Sequence, residues 1–198
     1  MKILKKEPIL YQITRPIIKG IFNILFRPTY IGISNIPSDG RVVLAGNHTS
    51  NLDCLLLVSS TKRPIHFLAK DELIKGWKKI IFKNMGIIPV NRRIHDKNAL
   101  HSAIEVLKED KVIGIFPEGT INKTKDVIMP FKIGAVKMSK DTNSLLIPFT
   151  ITGKYKIFKK SITLEFLTPY QVEGELEEEN KKLMSMIEKK LKDEGDKF

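Results

Sequence analysis

A histidine and an aspartate lie five positions apart in the segment GNHTSNLD, residues 46–53, between two apolar runs. A carboxylate that holds one imidazole nitrogen leaves the other nitrogen as a base for a substrate hydroxyl, so His48 and Asp53 are a candidate catalytic pair. Five residues of regular helix would point the two side chains about 140° apart. They can therefore meet only if His48 lies in a loop and Asp53 lies in the first turn of the helix that follows.

Asp53 also has a purely structural interpretation. Ser50 is a good N-cap, and an acid three residues later resembles a capping box in which Asp replaces Glu or Gln. A negative charge in the first turn also suits the helix dipole. The residues alone leave both interpretations open, helix capping and orientation of His48, although only the second uses the histidine.

A second candidate group lies in IGIFPEGT, residues 113–120, where an apolar strand runs into Pro, an acid, Gly and Thr. Glu118 could orient a hydroxyl group or a cation. The turn at Gly119 exposes backbone N–H groups that suit an anion or an oxyanion. Taken alone, the segment is more typical of an ordinary strand end with a loop carboxylate.

The residue types give little support for a metal site, a disulfide or a covalent catalytic mechanism. The four histidines are scattered and Cys54 is the single cysteine, so we predict no metal site and no internal disulfide. A lone cysteine also favours a reducing compartment. We find no serine nucleophile motif and no cleavable signal peptide. We expect His66, His95 and His101 to be structural or surface residues.

The elements that must position these residues alternate between strand and helix, which predicts an α/β fold. We expect a single domain with a mostly parallel or mixed sheet flanked by helices, preceded by an amphipathic N-terminal helical segment. His48 then lies where a strand ends, the usual mouth of an α/β active site. The predicted strands are 41–46, 65–69, 86–90, 112–116, 145–151 and 161–167. The predicted helices are about 51–60, 72–84, 96–109, 131–140 and 176–194.

The segment TRPIIKGIFNILFR, residues 14–27, predicts a helix with Thr14 as N-cap and Pro16 in its first turn. Its length of about 14 residues is short of the ~20 that span a bilayer. A helix packed on its own domain and an interfacial helix with its apolar side in lipid fit equally well. We therefore divide the chain into a membrane-associating helical segment, 1–30, and an α/β domain, 31–198. The polar residues of the helix recur every four positions as Arg15, Lys19, Asn23 and Arg27.

The net charge is +12 at pH 7, and nine of the 22 acidic residues lie in 171–198. The rest of the chain is therefore more basic still, which favours anionic partners such as nucleic acid, anionic lipid or phosphorylated small molecules. Aromatic residues are not interleaved with the basic ones as in a base-stacking platform, so we expect no nucleic acid partner.

Several segments between about residues 31 and 151 resemble, in order, the blocks of the glycerolipid acyltransferase family, the 1-acyl-sn-glycerol-3-phosphate acyltransferases. NHTSNLD resembles the His-x4-Asp block, GIIPVNR (86–92) the second, FPEGT the third and LLIPFTI the fourth. IGISNIP (31–37) is similar to the lead-in before the first block, and FKIGA (131–135) to the segment after the third. Four blocks in order are far more specific than one.

The resemblance implies an enzyme that transfers a fatty acyl group from a CoA or acyl-carrier-protein thioester to a glycerol hydroxyl, without an acyl-enzyme and without a further cofactor. His48 would be the general base and Asp53 its orienting partner. Arg92 matches the family's phosphate-binding arginine. Glu118, Gly119 and Thr120 match the acceptor-site residues of the third block.

One position departs from the family. The third block usually continues with arginine after the threonine, and Ile121 stands there instead. If that arginine binds phosphate, another cation must replace it, and this puts the acceptor in doubt more than the reaction. The candidates are Lys132, which we include in the predicted site, and Arg93, Lys123 and Lys125.

We expect lysophosphatidic acid as the acceptor, which would make phosphatidic acid the product. Glycerol 3-phosphate or another lysophospholipid is the alternative acceptor. A basic peripheral protein that binds anionic lipid without chemistry is the alternative class, although it has no use for the His48–Asp53 pair. The expected location is the cytoplasmic face of an anionic membrane, as a peripheral or monotopic protein.

Overall fold

The computed structural model describes residues 9–70, 87–90 and 97–195. The predicted helix at 72–84 lies outside these ranges. So do Arg92 and Arg93, which are candidate phosphate-binding cations, and His95. The strands are β1 (Thr29–Ile31), β2 (Val42–Gly46), β3 (Ile65–Lys70), β4 (Ile87–Val90), β5 (Val112–Ile115), β6 (Leu145–Gly153) and β7 (Ile162–Phe166). The helices are α1 (Ile9–Phe26), α2 (Asp53–Ser60), α3 (Lys97–Lys108), α4 (Gly134–Thr142) and α5 (Leu176–Gly195).

The seven strands form one mixed sheet in the order β1-β7-β6-β2-β5-β3-β4. Every neighbouring pair is parallel except β6 and β7, which are antiparallel. The predicted α/β class and mixed sheet are confirmed. Strand β4, which contains Pro89, is the outermost strand of the described sheet, a position where a proline within a strand is tolerated.

The central strand β2 is buried along its whole length because helices cover both faces of the sheet. Its side chains alternate between two cores. Val42 and Leu44 pack with residues of α1 and α2. Val43 and Ala45 pack with residues of α3, α4 and α5 on the other face.

Helix α1 already includes Ile9, so the prediction of Thr14 as its N-cap is wrong and Pro16 lies inside the helix. Packing on the domain compensates for the hydrogen bond that proline removes. The Tyr11 hydroxyl accepts the N–H of Ile65 at 2.9 Å, and the Arg15 guanidinium donates to the Thr61 carbonyl at 2.7 Å. No helix among the described residues has the length and apolar character to cross a bilayer.

The ends of the parallel strands assemble the site. Strands β2, β3, β5 and β6 point the same way, so the segments after β2, β5 and β6 emerge at one edge of the sheet, which we call the carboxyl edge. Both candidate groups, NHTSNLD after β2 and FPEGT after β5, lie at this edge. The β6–β7 connection turns there as well.

Candidate active site

His48 and Asp53 meet at the carboxyl edge. His48 Nδ1 lies 2.9 Å from Asp53 Oδ2. The Asp53 side chain is 0% exposed, whereas the His48 side chain is 16% exposed. Because a carboxylate accepts at Nδ1, the neutral imidazole in this geometry has its proton on Nδ1 and its lone pair on Nε2. The pair therefore presents one basic imidazole nitrogen at a partly open position.

The capping interpretation of Asp53 holds only in part. Asp53 Oδ2 accepts the backbone N–H of Ser50 at 2.8 Å and that of Thr49 at 2.6 Å. Ser50 Oγ accepts the N–H of Leu52 at 3.2 Å, and α2 begins at Asp53 itself. The Asp53 carboxylate thus makes its half of the predicted capping box, but the N–H of Asp53 donates to the Ser50 carbonyl and not to the Ser50 hydroxyl. The N-cap of α2 is Leu52, which makes no side-chain cap bond, so the prediction of Ser50 as N-cap is wrong. The two interpretations of Asp53 are complementary, because the bonds that fix the loop also fix the carboxylate against His48.

Residues of the third block orient the imidazole ring of His48 and hold its backbone in place. The Phe116 ring stacks on the imidazole with centroids 4.0 Å apart and planes 14° apart. Glu118 Oε1 accepts the backbone N–H of His48 at 2.8 Å, and Oε2 accepts that of Met129 at 2.9 Å. Burial raises the pKa of Glu118, which opposes the lowering effect of these two bonds. In this arrangement Glu118 positions the loop of His48.

Gly46 and Asn47, which directly precede His48, fix the end of β2. Asn47 is buried and bridges to β6, donating from Nδ2 to the Ile151 carbonyl at 2.9 Å and accepting the Ile151 N–H at Oδ1 at 2.8 Å. At Gly46, an added Cβ would lie 2.3 Å from the Phe149 ring and its carbonyl oxygen. Only glycine allows this close approach of β2 to β6. Sequence reasoning did not assign a role to either residue.

Tyr155 is the site residue that sequence reasoning missed. Its hydroxyl donates to Asp53 Oδ1 at 2.6 Å, which leaves His48 bound to the other oxygen. Its ring packs edge-on against Phe22 and Phe26 of α1. Burial, followed by the charge of Asp53, raises the pKa of the phenol, so Tyr155 stays a proton donor. A tyrosine 102 positions away in a lysine-rich loop carries no local signal that it reaches this carboxylate.

Comparison with known proteins identifies the family. The family model described as Acyltransferase matches residues 27–152. The chain belongs to the Acyltransferase family. The match runs from the end of α1 to the last residues of β6, so it contains His48, Asp53 and the FPEGT segment.

Curated Acyltransferase-family relatives carry one shared name. A 1-acyl-sn-glycerol-3-phosphate acyltransferase of Borreliella burgdorferi is 37% identical over 134 residues, which cover 66% of this chain and 53% of that protein. One of Bacillus subtilis is 33% identical over 131 residues, which cover 64% of each chain. The chain thus matches between about half and two thirds of the length of these relatives.

The fold is shared with a solved member. The 1-acyl-sn-glycerophosphate (LPA) acyltransferase PlsC from Thermotoga maritima superposes with a TM-score of 0.73, covering 90% of this chain and 78% of that one, at 21% identity. This likeness concerns the mixed sheet and its helices.

Lys132 places a positive charge at the turn just before Ile121, the position where this chain departs from the Acyltransferase third block. Gly119 has a φ of 75°, and a Cβ added there would lie 2.9 Å from Lys132 Nζ, so the Lys132 side chain packs over this turn. The backbone N–H of Lys132 donates to the Pro117 carbonyl at 2.9 Å. Thr120, Lys123 and Lys125 are exposed on the same loop. Among the described cations considered for this role, Lys132 is the one with a contact to the turn.

Cys54 follows Asp53 but lacks the character of a nucleophile in this Acyltransferase-family chain. Burial and the charge of Asp53 raise the pKa of its thiol to about 12. The reactive form of a cysteine is the thiolate, so Cys54 is essentially unreactive near neutral pH. The remaining histidines of the described chain lie elsewhere: His101 is exposed on α3, as expected, and His66 is buried within β3.

Proposed function

We propose that this chain is an acyltransferase that moves a fatty acyl group from a CoA or acyl-carrier-protein thioester to the free hydroxyl of lysophosphatidic acid. The observation that carries the proposal is the imidazole of His48, held by buried Asp53 at 2.9 Å and stacked on Phe116 at the carboxyl edge. The shared name of the curated relatives supports both the reaction and the acceptor.

The first step is proton removal from the acceptor. His48 Nε2 takes the proton of the glycerol hydroxyl while the oxygen attacks the thioester carbonyl, and Asp53 stabilises the imidazolium that forms. The resulting tetrahedral species carries a negative oxygen. The N–H of Gly119 already donates to the Phe116 carbonyl at 2.9 Å, so we assign stabilisation of that oxygen to the N–H of Thr120 and to nearby cations such as Lys132.

The second step is collapse of the tetrahedral species. The carbon–sulfur bond breaks, the electron pair leaves with sulfur, and the proton on His48 passes to the thiolate. The products are phosphatidic acid and a free thiol, and His48 returns to its starting form. The raised pKa of Cys54 supports direct transfer over an acyl-enzyme on this thiol.

We assign phosphate binding to Lys132 and Arg92. Lys132 packs over the third-block turn at Gly119, and the loop that follows this turn is bonded to His48, whose carbonyl accepts the N–H of Asn122 at 2.9 Å. A lysine binds phosphate as a point charge and would replace the arginine absent at Ile121. Arg92 is assigned from the family resemblance alone.

The proposed location is the cytoplasmic face of a membrane, with α1 as the interfacial element. Residues of α1 pack on the domain through Tyr11 and Phe22, while its opposite face exposes isoleucines to solvent. This exposed face consists of Ile13, Ile17, Ile21 and Ile24. The basic character of the chain favours an anionic surface.

The function is tested by free-thiol release from an acyl thioester in the presence of single acceptors. We expect lysophosphatidic acid to support release, with a lower rate for glycerol 3-phosphate or a lysolipid without the phosphate monoester. Lys132→Gln should raise the KM for lysophosphatidic acid about tenfold and leave the KM for the donor unchanged. Lys137→Gln, whose lysine pairs with Asp141 on α4, is the matched control. Thiol release that is independent of every acceptor would contradict the proposal.

A further inference from the structure

The connection between β6 and β7 has the composition of a membrane-contacting loop. Residues 154–160, which we call the lysine loop, read KYKIFKK. At its tip Ile157 is 61% exposed and Phe158 is 60% exposed. The flanking lysines, Lys154, Lys156, Lys159 and Lys160, are exposed as well.

Phe158 holds an unusual backbone conformation. Its φ of 59° lies in the left-handed region, which costs free energy for any residue with a Cβ. Its N–H donates to the carbonyl of Leu25 in the last turn of α1, which helps to hold this conformation. A bulky residue kept in this conformation with its side chain in solvent is a feature that folding alone does not explain.

The tip of the lysine loop adjoins another exposed apolar surface. Ile13, Ile17, Ile21 and Ile24 recur at helical spacing along the outer side of α1. The bond between Phe158 and Leu25 places the tip beside the end of that row. Scattered apolar residues on a surface need no explanation, but a contiguous row beside cations marks an interaction surface.

The lysine loop also reaches the proposed catalytic pair. Tyr155 points inward and donates to Asp53 at 2.6 Å, two residues before the exposed Ile157. A surface that contacts the tip therefore lies at the same edge as His48. A lipid acceptor would enter from that surface.

We propose that the lysine loop docks on an anionic lipid bilayer, with Ile157 and Phe158 in the interface and the four lysines at the headgroups. Only the delivery of the acceptor to His48 rests on the proposed function. A bilayer fits better than a protein groove because a small apolar tip between cations matches the boundary between acyl chains and anionic headgroups. Each lysine near such a surface strengthens binding roughly fivefold.

The test is co-sedimentation of the full chain with vesicles of phosphatidylglycerol and phosphatidylcholine, or of phosphatidylcholine alone. The test variant combines Ile157→Ser with Phe158→Asn, because asparagine tolerates the left-handed conformation. The control is Ile33→Ser. Ile33 is exposed and follows β1, which runs with β7 away from the carboxyl edge. Unchanged Tm values confirm that the variants are folded.

We expect the double variant to lose about tenfold or more of its affinity for the anionic vesicles, with the control unchanged. We also expect the wild-type chain to bind the zwitterionic vesicles at least about tenfold more weakly than the anionic ones. A smaller loss in the double variant, an equal loss in Ile33→Ser, or equal binding to both vesicles would overturn the proposal. Absence of acyl transfer in the wild type would overturn the proposed function. The vesicle-binding measurements would still decide whether the lysine loop docks on a bilayer.

A second readout links the lysine loop to delivery of the acceptor. With lysophosphatidic acid embedded in vesicles, the double variant should lose acyl transfer in proportion to its lost binding. With a short-chain acceptor that is freely dissolved, it should match the wild type. Equal losses on both acceptors would overturn the assignment of the loop to membrane contact.

Discussion

Asp53 accepts hydrogen bonds on both carboxylate oxygens, and the donors have different consequences. Oδ2 receives His48 and two backbone N–H groups, while Oδ1 receives Tyr155. The backbone around His48 is fixed by Gly46, Asn47 and Glu118. At the scale of single residues, the account therefore separates the group that meets the substrate, His48, from the residues that position it.

Asp53→Asn should lower kcat by roughly a thousandfold or more, because an amide has no negative charge to stabilise the imidazolium and would set its NH2 group against the Tyr155 hydroxyl donor. Steady-state thiol release measures this. Ser50→Ala is the control, since it removes only the hydroxyl that accepts the N–H of Leu52 at 3.2 Å and leaves the Asp53 carboxylate and the Ser50 backbone N–H in place. Near-wild-type kcat in Asp53→Asn would reduce Asp53 to a helix cap.

Tyr155→Phe should lower kcat about tenfold with little change in KM. The hydroxyl is a charge-assisted donor to Asp53, and the ring that packs on Phe22 and Phe26 is kept. Tyr30→Phe is the matched control, because it removes a half-buried hydroxyl that bonds Ser59 at 2.6 Å instead of Asp53. An equal fall in kcat for both variants would show a general loss of packing instead of positioning.

Cys54 should resist alkylation at pH 8 in the folded chain and react readily in urea. With its pKa raised to about 12, the thiolate fraction at pH 8 is about one in ten thousand. The rate should therefore rise about tenfold per pH unit up to about 12, as measured by mass spectrometry after timed quenching. Cys54→Ala should keep its activity. Fast alkylation at pH 8 would contradict the raised pKa of Cys54, and acyl-Cys54 after reaction with the thioester would contradict direct transfer.

At the scale of elements, the strands were predictable and their partners were not. Continuous apolar runs bounded by polar turns located β2, β5 and β6, because a strand buried on both faces leaves that pattern. The three-residue β1 was missed, since so short a strand carries no periodicity. The start of α1 was misplaced because Pro16 was interpreted as a first-turn residue, whereas contacts with Ile65 and Thr61 extend the helix beyond it. Tyr155 and Asn47 depend on pairing between distant strands, which spacing along the chain does not encode.

Gly46→Ala tests how β2 presents His48. The added Cβ would meet Phe149 at 2.3 Å, partly against its carbonyl oxygen, so β2 or β6 must shift. We expect a loss of about 1–3 kcal/mol in unfolding free energy, measured by urea titration, with a fall in kcat. Gly134→Ala at the start of α4 is the control, because its nearest atom would be 3.8 Å away and alanine favours a helix. Equal stability of Gly46→Ala and wild type would mean that the approach of the two strands is not needed.

At the scale of the whole molecule, charge and apolar surface are distributed unevenly. The acid-rich helix α5 packs with α3 and α4 on one face of the sheet, while α1 covers the other. The lysine loop, the turn of Lys132 and the catalytic pair share the carboxyl edge. Such an arrangement would orient the chain with this edge toward an anionic surface. The sequence predicts an anionic partner from net charge, and the fold places the lysine loop and Lys132 at one edge, which we propose faces that partner.

The most direct measurement of the central claim is acceptor-dependent thiol release by His48→Ala at saturating thioester and lysophosphatidic acid. In this variant the Asp53 carboxylate still accepts hydrogen bonds from Thr49, Ser50 and Tyr155, so the fold should persist. His101→Ala, an exposed histidine on α3, serves as the control. The account predicts that His48→Ala loses at least about a hundredfold in rate while His101→Ala keeps the wild-type rate. A folded His48→Ala that releases thiol within tenfold of the wild-type rate would contradict it.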